Sequence, residues 1–147
     1  MDIKQRIRQP KEHRDLMDRL IKTKNNEYGV FSSYAKLMLF SAALGYREKK
    51  RVAFESTNEP ISITSFGENG RAFMYSLALA ELDDIECFQD ASVQNVMAIF
   101  EEYANGGFNY LDQILINDRG IHEQIEELLR DQDSKKNIPD LSDIEVF

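Results

Sequence analysis

The sequence is poor in the residues that most catalytic and covalent devices need: 147 residues hold one cysteine, two histidines and three prolines. Lone Cys87 excludes a disulfide framework or a thiolate metal cluster within the chain and fits a reducing compartment. In Ile85-Glu86-Cys87-Phe88 it reads as a small buried hydrophobe. Two histidines are too few for most nucleophile-and-base arrangements. His13 lies among Lys11, Glu12 and Arg14, and His122 opens an acidic segment, so both are expected on the solvated surface. No long hydrophobic run is present. The longest nearly uncharged apolar stretch, Leu37 to Tyr46, is about half the ~20 residues of a bilayer span. The opening MDIKQRIRQPKEHRDL has charges but no apolar segment behind them, unlike a secretory signal. A soluble cytoplasmic protein with no membrane contact is the expectation. There is no GxxxxGK[ST] and no GxGxxG, hence no nucleotide-phosphate cradle, and no internal repeat is visible.

What is present suffices for a core. Apolar residues make up 42%, including nine Phe and six Tyr. A chain this long buries roughly 68–70% of its unfolded surface, so neither metals nor disulfides are required as staples. The apolar spacing predicts a mainly α protein, a compact bundle of five or six helices. Pro10 opens a first, surface helix with Leu16, Met17, Leu20 and Ile21 as its apolar stripe; Lys22 and Lys24 fall in its last turn, and Asn25-Asn26 breaks it. Ser32 or Ser33 caps a second helix, about Tyr34 to Leu44, apolar nearly all round and so central, with Gly45 as a left-handed stop. Between Arg47 and Asn69 the helical period is lost, and a short extended segment is predicted around residues 60–66. Helical spacing returns from Gly70 with Phe73, Met74, Leu77 and Ala78. Asp90 or Ser92 caps a helix carrying Val93, Val96, Met97, Phe100 and Tyr103. Gly106-Gly107 interrupts, and a further run carries Phe108, Leu111, Ile114 and Leu115. The last helix, Ile121 to Arg130, sets Ile121, Ile125, Leu128 and Leu129 against Glu123, Glu126 and Glu127. Residues 1–130 are thus expected as a single helical domain. Residues 131–147 form an acidic tail, either frayed or docking through Leu141, Ile144, Val146 and Phe147.

Few groupings suggest chemistry. The acidic cluster Glu81, Asp83, Asp84, Glu86 and Asp90 lacks calcium-loop spacing and reads as a solvated helix end. From Asp131 and Asp133 the sixth loop position is Lys136 rather than Gly, and the twelfth is Ser142 rather than Glu. Glu48-Lys49-Lys50 resembles the Glu-x-Lys fragment of some metal-dependent nucleases but follows a helix stop, with no apolar strand to hold carboxylates in place. No metal, no cofactor and no catalytic residue is predicted.

Charge is the better lead. Residues 1–54 carry thirteen basic and six acidic residues, net +7, and residues 55–147 carry five and twenty, net −15. Lys4, Arg6, Arg8, Lys11 and Arg14 gather at the start, while Arg47, Lys49, Lys50 and Arg51 follow the central helix. If the groups converge, Lys4, Arg6, Arg8, Arg47, Lys49, Lys50 and Arg51 would contact DNA phosphates and displace their counterions without reading bases. The acidic half offers the opposite possibility, docking on a basic partner or on a second copy of the chain.

The segments RIRQPKEHRDLMDRL, YAKLMLFSAALGYREKKRVAF, EPISITSF and NGGFNYLDQILIND together resemble the DNA phosphorothioation-associated protein 4 family, over roughly residues 4 to 118. That resemblance implies a non-catalytic accessory protein of a bacterial system that replaces a DNA phosphate oxygen with sulfur, with its linked restriction machinery and antiviral defence. The expected partners are DNA or components of the modification and restriction complex. The matching segments define a fold rather than an active site, so no residue role is carried over.

Overall fold

The computed structural model describes residues 5–83, 85, 92–115 and 120–131. Lys4, Asp84, Glu86, Cys87, Asp90 and the tail positions Leu141, Ile144, Val146 and Phe147 lie outside the described residues.

Five helices carry the described fold: α1 Arg14–Leu20, α2 Tyr34–Arg47, α3 Gly67–Leu82, α4 Val93–Ile114 and α5 Ile121–Asp131. The extended structure is a small antiparallel pair of β1, Arg6–Ile7, and β2, Ile61–Ser62, in the register Arg6 to Ser62 and Ile7 to Ile61. The mainly α expectation holds, and one continuous apolar core runs from Ile7 to Leu128.

Capping explains where the long helices begin. Ser33 accepts a hydrogen bond from the backbone N–H of Lys36 at 3.2 Å, and Ser92 accepts one from Asn95 at 3.2 Å. Helix α2 buries Ala35, every residue from Leu37 to Gly45, and Arg47, so it is central as its composition implies.

Three local expectations give way. The first helix is shorter: Lys11–His13 form a 3-10 turn, and α1 stops at Leu20. Its last carbonyls are taken by the loop that follows. The N–H groups of Val30 and Phe31 both reach the Leu20 oxygen at 2.9 Å, and the Asn26 amide donates to the oxygens of Asp18, Arg19 and Ile21. Lys22 and Lys24 therefore sit on an exposed loop instead of in a helical turn.

Gly45 does not stop α2, and Gly106-Gly107 does not interrupt α4; each lies inside its helix. Helix propensity alone disfavours glycine there. What outweighs it is a backbone-to-backbone crossing. A Cβ added to Gly107 would stand 1.9 Å from the Ser41 carbonyl oxygen, and one on Gly45 would stand 2.0 Å from that of Tyr103. Pairing 41 with 107 and 45 with 103 also makes the helices antiparallel. The two runs predicted on either side of Gly106-Gly107 are one helix of 22 residues.

His13 is a core residue, 6% exposed, in contrast to the solvated position expected. Its Nδ1 lies 2.8 Å from Asp112 Oδ2, and its ring stands 5.7 Å from that of Phe108. The 3-10 turn is thereby tied to the far part of α4.

Candidate nucleic-acid interface

The basic residues of the arm and of the turn after α2 are positioned by different means. The arm is held in an extended course by β1–β2 pairing and by Ile7, which is fully buried. Arg6 faces outward from that pair, exposed. Arg8 turns to α4. Its backbone N–H donates to Glu101 Oε2 at 2.6 Å, its Nε donates to Oε1 at 3.0 Å, and its guanidinium lies 4.8 Å from the centre of the Phe54 ring. Glu101 is 3% exposed; burial pushes its carboxyl above the usual range, opposed by Arg8.

After α2 the chain reverses at Lys49, whose φ of 57° is left-handed, a conformation that L side chains adopt with strain. Residues 50–52 then run along α4, with the Val52 N–H bonded to the Glu102 oxygen at 3.0 Å and the Asn105 amide to the Val52 oxygen at 3.1 Å. Lys49 is exposed. Lys50 places Nζ 3.1 Å from Gln113 Oε1 and 5.4 Å from the centre of the Tyr110 ring. Arg51 donates from Nε to Glu102 at 2.7 Å and from Nη1 to Glu81 at 2.9 Å. The Tyr103 hydroxyl donates to the other oxygen of Glu81, and its pKa is raised, first by burial and then by that carboxylate.

Arg47 requires a correction. It is 8% exposed and donates from Nη1 to the backbone oxygen of Leu128 at 2.9 Å, with Glu48 3.7 Å from its Nε. It ties α2 to α5 from inside and offers no surface to a phosphate. Arm and turn do meet the same helix, since Arg8 binds Glu101 and Arg51 binds the adjacent Glu102. They meet it through carboxylates, however, so the convergence neutralises two of the expected contact residues. Arg6, Lys49 and Lys50 keep uncompensated charge among the described residues; Lys4 lies outside them.

Sequence reasoning missed Lys22 and Lys24 as loop residues. Both are exposed, as is Lys11, without a carboxylate partner among the described residues. The Asn25-Asn26 pair that marks a helix break was the available signal. No group of three or more His, Cys, Asp and Glu among the described residues could hold a metal ion, and no described helix is long and apolar enough to cross a membrane.

Residues 6–147 match the model of the family described as DNA sulphur modification system-associated protein 4. The chain belongs to that family. No curated protein and no solved structure matches it. The family match reaches Phe147, well beyond the stretch of residues 4 to 118 that carries the resemblance noted above, so it spans the acidic tail as well. Membership makes the chain an accessory of a DNA sulphur modification system.

Proposed function

We propose that this sulphur modification-associated protein is a non-catalytic accessory of a phosphorothioation-linked bacterial restriction and defence system, touching DNA phosphates or a DNA-bound complex through its basic N-terminal third. One observation carries the reading. The exposed cations without an acidic partner among the described residues are Arg6, Lys11, Lys22, Lys24 and Lys49, all from the N-terminal third, and Lys50 adds an ammonium whose hydrogen bond goes to a neutral amide. Neutralisation has fallen on Arg8, Arg14, Arg47 and Arg51, leaving the rest of that third with a surplus of positive charge. Such a surface binds polyanions by counterion release, with affinity falling steeply as salt rises.

The test is a salt titration of duplex DNA binding by the full chain, with charge reversal at Arg6, Lys49 and Lys50. Binding that weakens with salt and is lost on charge reversal supports the reading. Absence of salt-sensitive binding to both modified and unmodified duplex sinks it.

A second reading is favoured by α5, which buries Ile125 and Leu128 and leaves Glu123, Glu126 and Glu127 exposed. With the tail residues Leu141, Ile144, Val146 and Phe147, this face would make the protein an assembly adaptor for a basic partner or a second copy, with no DNA contact. Co-purification with the products of its own operon, lost on deleting Leu141 to Phe147 while DNA binding stays absent, distinguishes it.

A further inference from the structure

The loop between α1 and α2 combines stiffness with an unusual display. Its ends are anchored by Ile21, Val30 and Phe31, each 5% exposed or less. Its tip is closed by reciprocal backbone hydrogen bonds between Thr23 and Asn26, both 3.1 Å, which set Lys24 and Asn25 at a tight turn. The Asn26 amide fastens that turn to the end of α1 through three carbonyls, and His122 of α5 places Nε2 3.3 Å from the Gly29 oxygen. On this braced loop Tyr28 is 81% exposed, and it makes no hydrogen bond or ring contact among the described residues. Lys22 and Lys24 are exposed on the same loop without a carboxylate partner there; Glu27 is its one acid.

We propose that this loop is a contact for single-stranded nucleic acid, with Lys22 and Lys24 on phosphates and the Tyr28 ring stacked on one unpaired base. The inference rests on the phosphate-contact reading above and adds a site and a strand preference to it. An aromatic face held in water by a stiff loop gains most from a flat, unstacked partner, and every base supplies one. Bases in a duplex are already stacked and cannot take it. A protein hot spot would need an apolar, water-excluding surround. Here the neighbours Thr23, Asn25 and Glu27 are polar and exposed, which favours a polyanion with planar groups over an apolar protein surface.

The experiment is fluorescence anisotropy of the full chain with labelled oligothymidine and with a duplex of equal length. The expected results are tighter, salt-sensitive binding to the single strand and a loss of about ten-fold in that affinity for Tyr28→Ala. Tyr28→Phe retains affinity because it keeps the ring. Replacing both lysines, Lys22→Gln with Lys24→Gln, reduces the salt slope by about 0.7 for each phosphate contact removed. Unchanged Tm in all variants confirms that an exposed loop, not the core, was altered. If Tyr28→Ala binds oligothymidine as the parent does while charge reversal at Arg6 and Lys49 still weakens duplex binding, the loop proposal falls and phosphate contact survives. If the full chain binds neither probe, both fall. Binding of polyglutamate instead of oligothymidine, lost in Tyr28→Ala, overturns the proposal in favour of an acidic protein partner.

Discussion

Arg8 and Glu101, 93 positions apart, are joined by three contacts: backbone N–H to Oε2 at 2.6 Å, and Nε and Nη2 to Oε1, each at 3.0 Å. The pair fixes the N-terminal arm on α4 and consumes a positive charge that would otherwise belong to the basic surface. Its carboxylate end is buried while its guanidinium is 42% exposed, so the two residues are not equivalent. Removing Glu101 leaves a cation that water can reach, whereas removing Arg8 leaves a buried anion without its ionic partner.

Glu101→Leu is therefore expected to cost about 2–3 kcal/mol, below the usual range for breaking a fully buried pair. Hydrogen exchange should rise first at residues 6–10. The conservative Glu101→Gln isolates the ionisation. Because burial raises the carboxyl above its ordinary 4.5, the stability linked to its protonation is present below about pH 4.5 and is lost as pH rises through the folded-state value. The parent should lose Tm relative to Glu101→Gln over that rise, and a constant difference would contradict the assignment.

The α2–α4 crossing predicts that Gly107→Ala and Gly45→Ala destabilise despite a gain in helix propensity of about 1 kcal/mol. With carbonyl oxygens 1.9 and 2.0 Å from the new Cβ positions, each should lose about 3 kcal/mol or more by forced separation of the backbones. Gly120→Ala, whose new Cβ would have the Glu123 side chain at 3.8 Å as its nearest neighbour among the described residues, is the control and should be close to neutral in chemical denaturation.

Lys49→Gly separates backbone from charge. Relief of the left-handed conformation at φ 57° is expected to stabilise the fold by up to about 1 kcal/mol. If Lys49 contacts a phosphate as proposed, the same change lowers the salt slope of duplex binding by about one. A variant that is more stable and binds less tightly would mark Lys49 as a residue kept for its charge.

At the alkaline end, Tyr103 dominates. Its hydroxyl is buried against Glu81 and its pKa is raised, so the folded state keeps a proton that the unfolded chain releases from about pH 10. Stability from this group is complete below that pH and is lost as pH rises through the folded-state value. Tyr103→Phe should have a lower Tm at neutral pH, from an unpaired Glu81 oxygen, and a shallower decline above pH 10. Tyrosinate absorbance should report late ionisation at Tyr103 and Tyr34 in the parent, Tyr34 being raised by burial and by its hydrogen bond to Asp18, and at Tyr34 alone in the variant.

Arg47→Ala and Arg6→Ala should part company. The first removes a buried donor to the Leu128 carbonyl and should lower Tm and expose α5 to hydrogen exchange; the second should leave Tm unchanged and weaken DNA binding.

Local order was legible from residue spacing. Ser33 and Ser92 cap where a hydroxyl before an apolar run should, and Phe73, Met74, Leu77 and Ala78 face the core as their helical period requires. The central position of α2 followed from apolar residues on every side, and the charge division followed from counting. Tertiary packing alone decided which glycines end a helix and which let two helices touch, since both kinds look alike along the chain. It also decided which cations remain available: Arg8, Arg47 and Arg51 find partners 93, 81 and 51 positions away, distances over which periodicity says nothing, whereas Arg6 and Lys49 find none among the described residues. The physical reason is range: helices form from neighbours three and four apart, but the charge of a surface is settled only after remote carboxylates have been brought beside it.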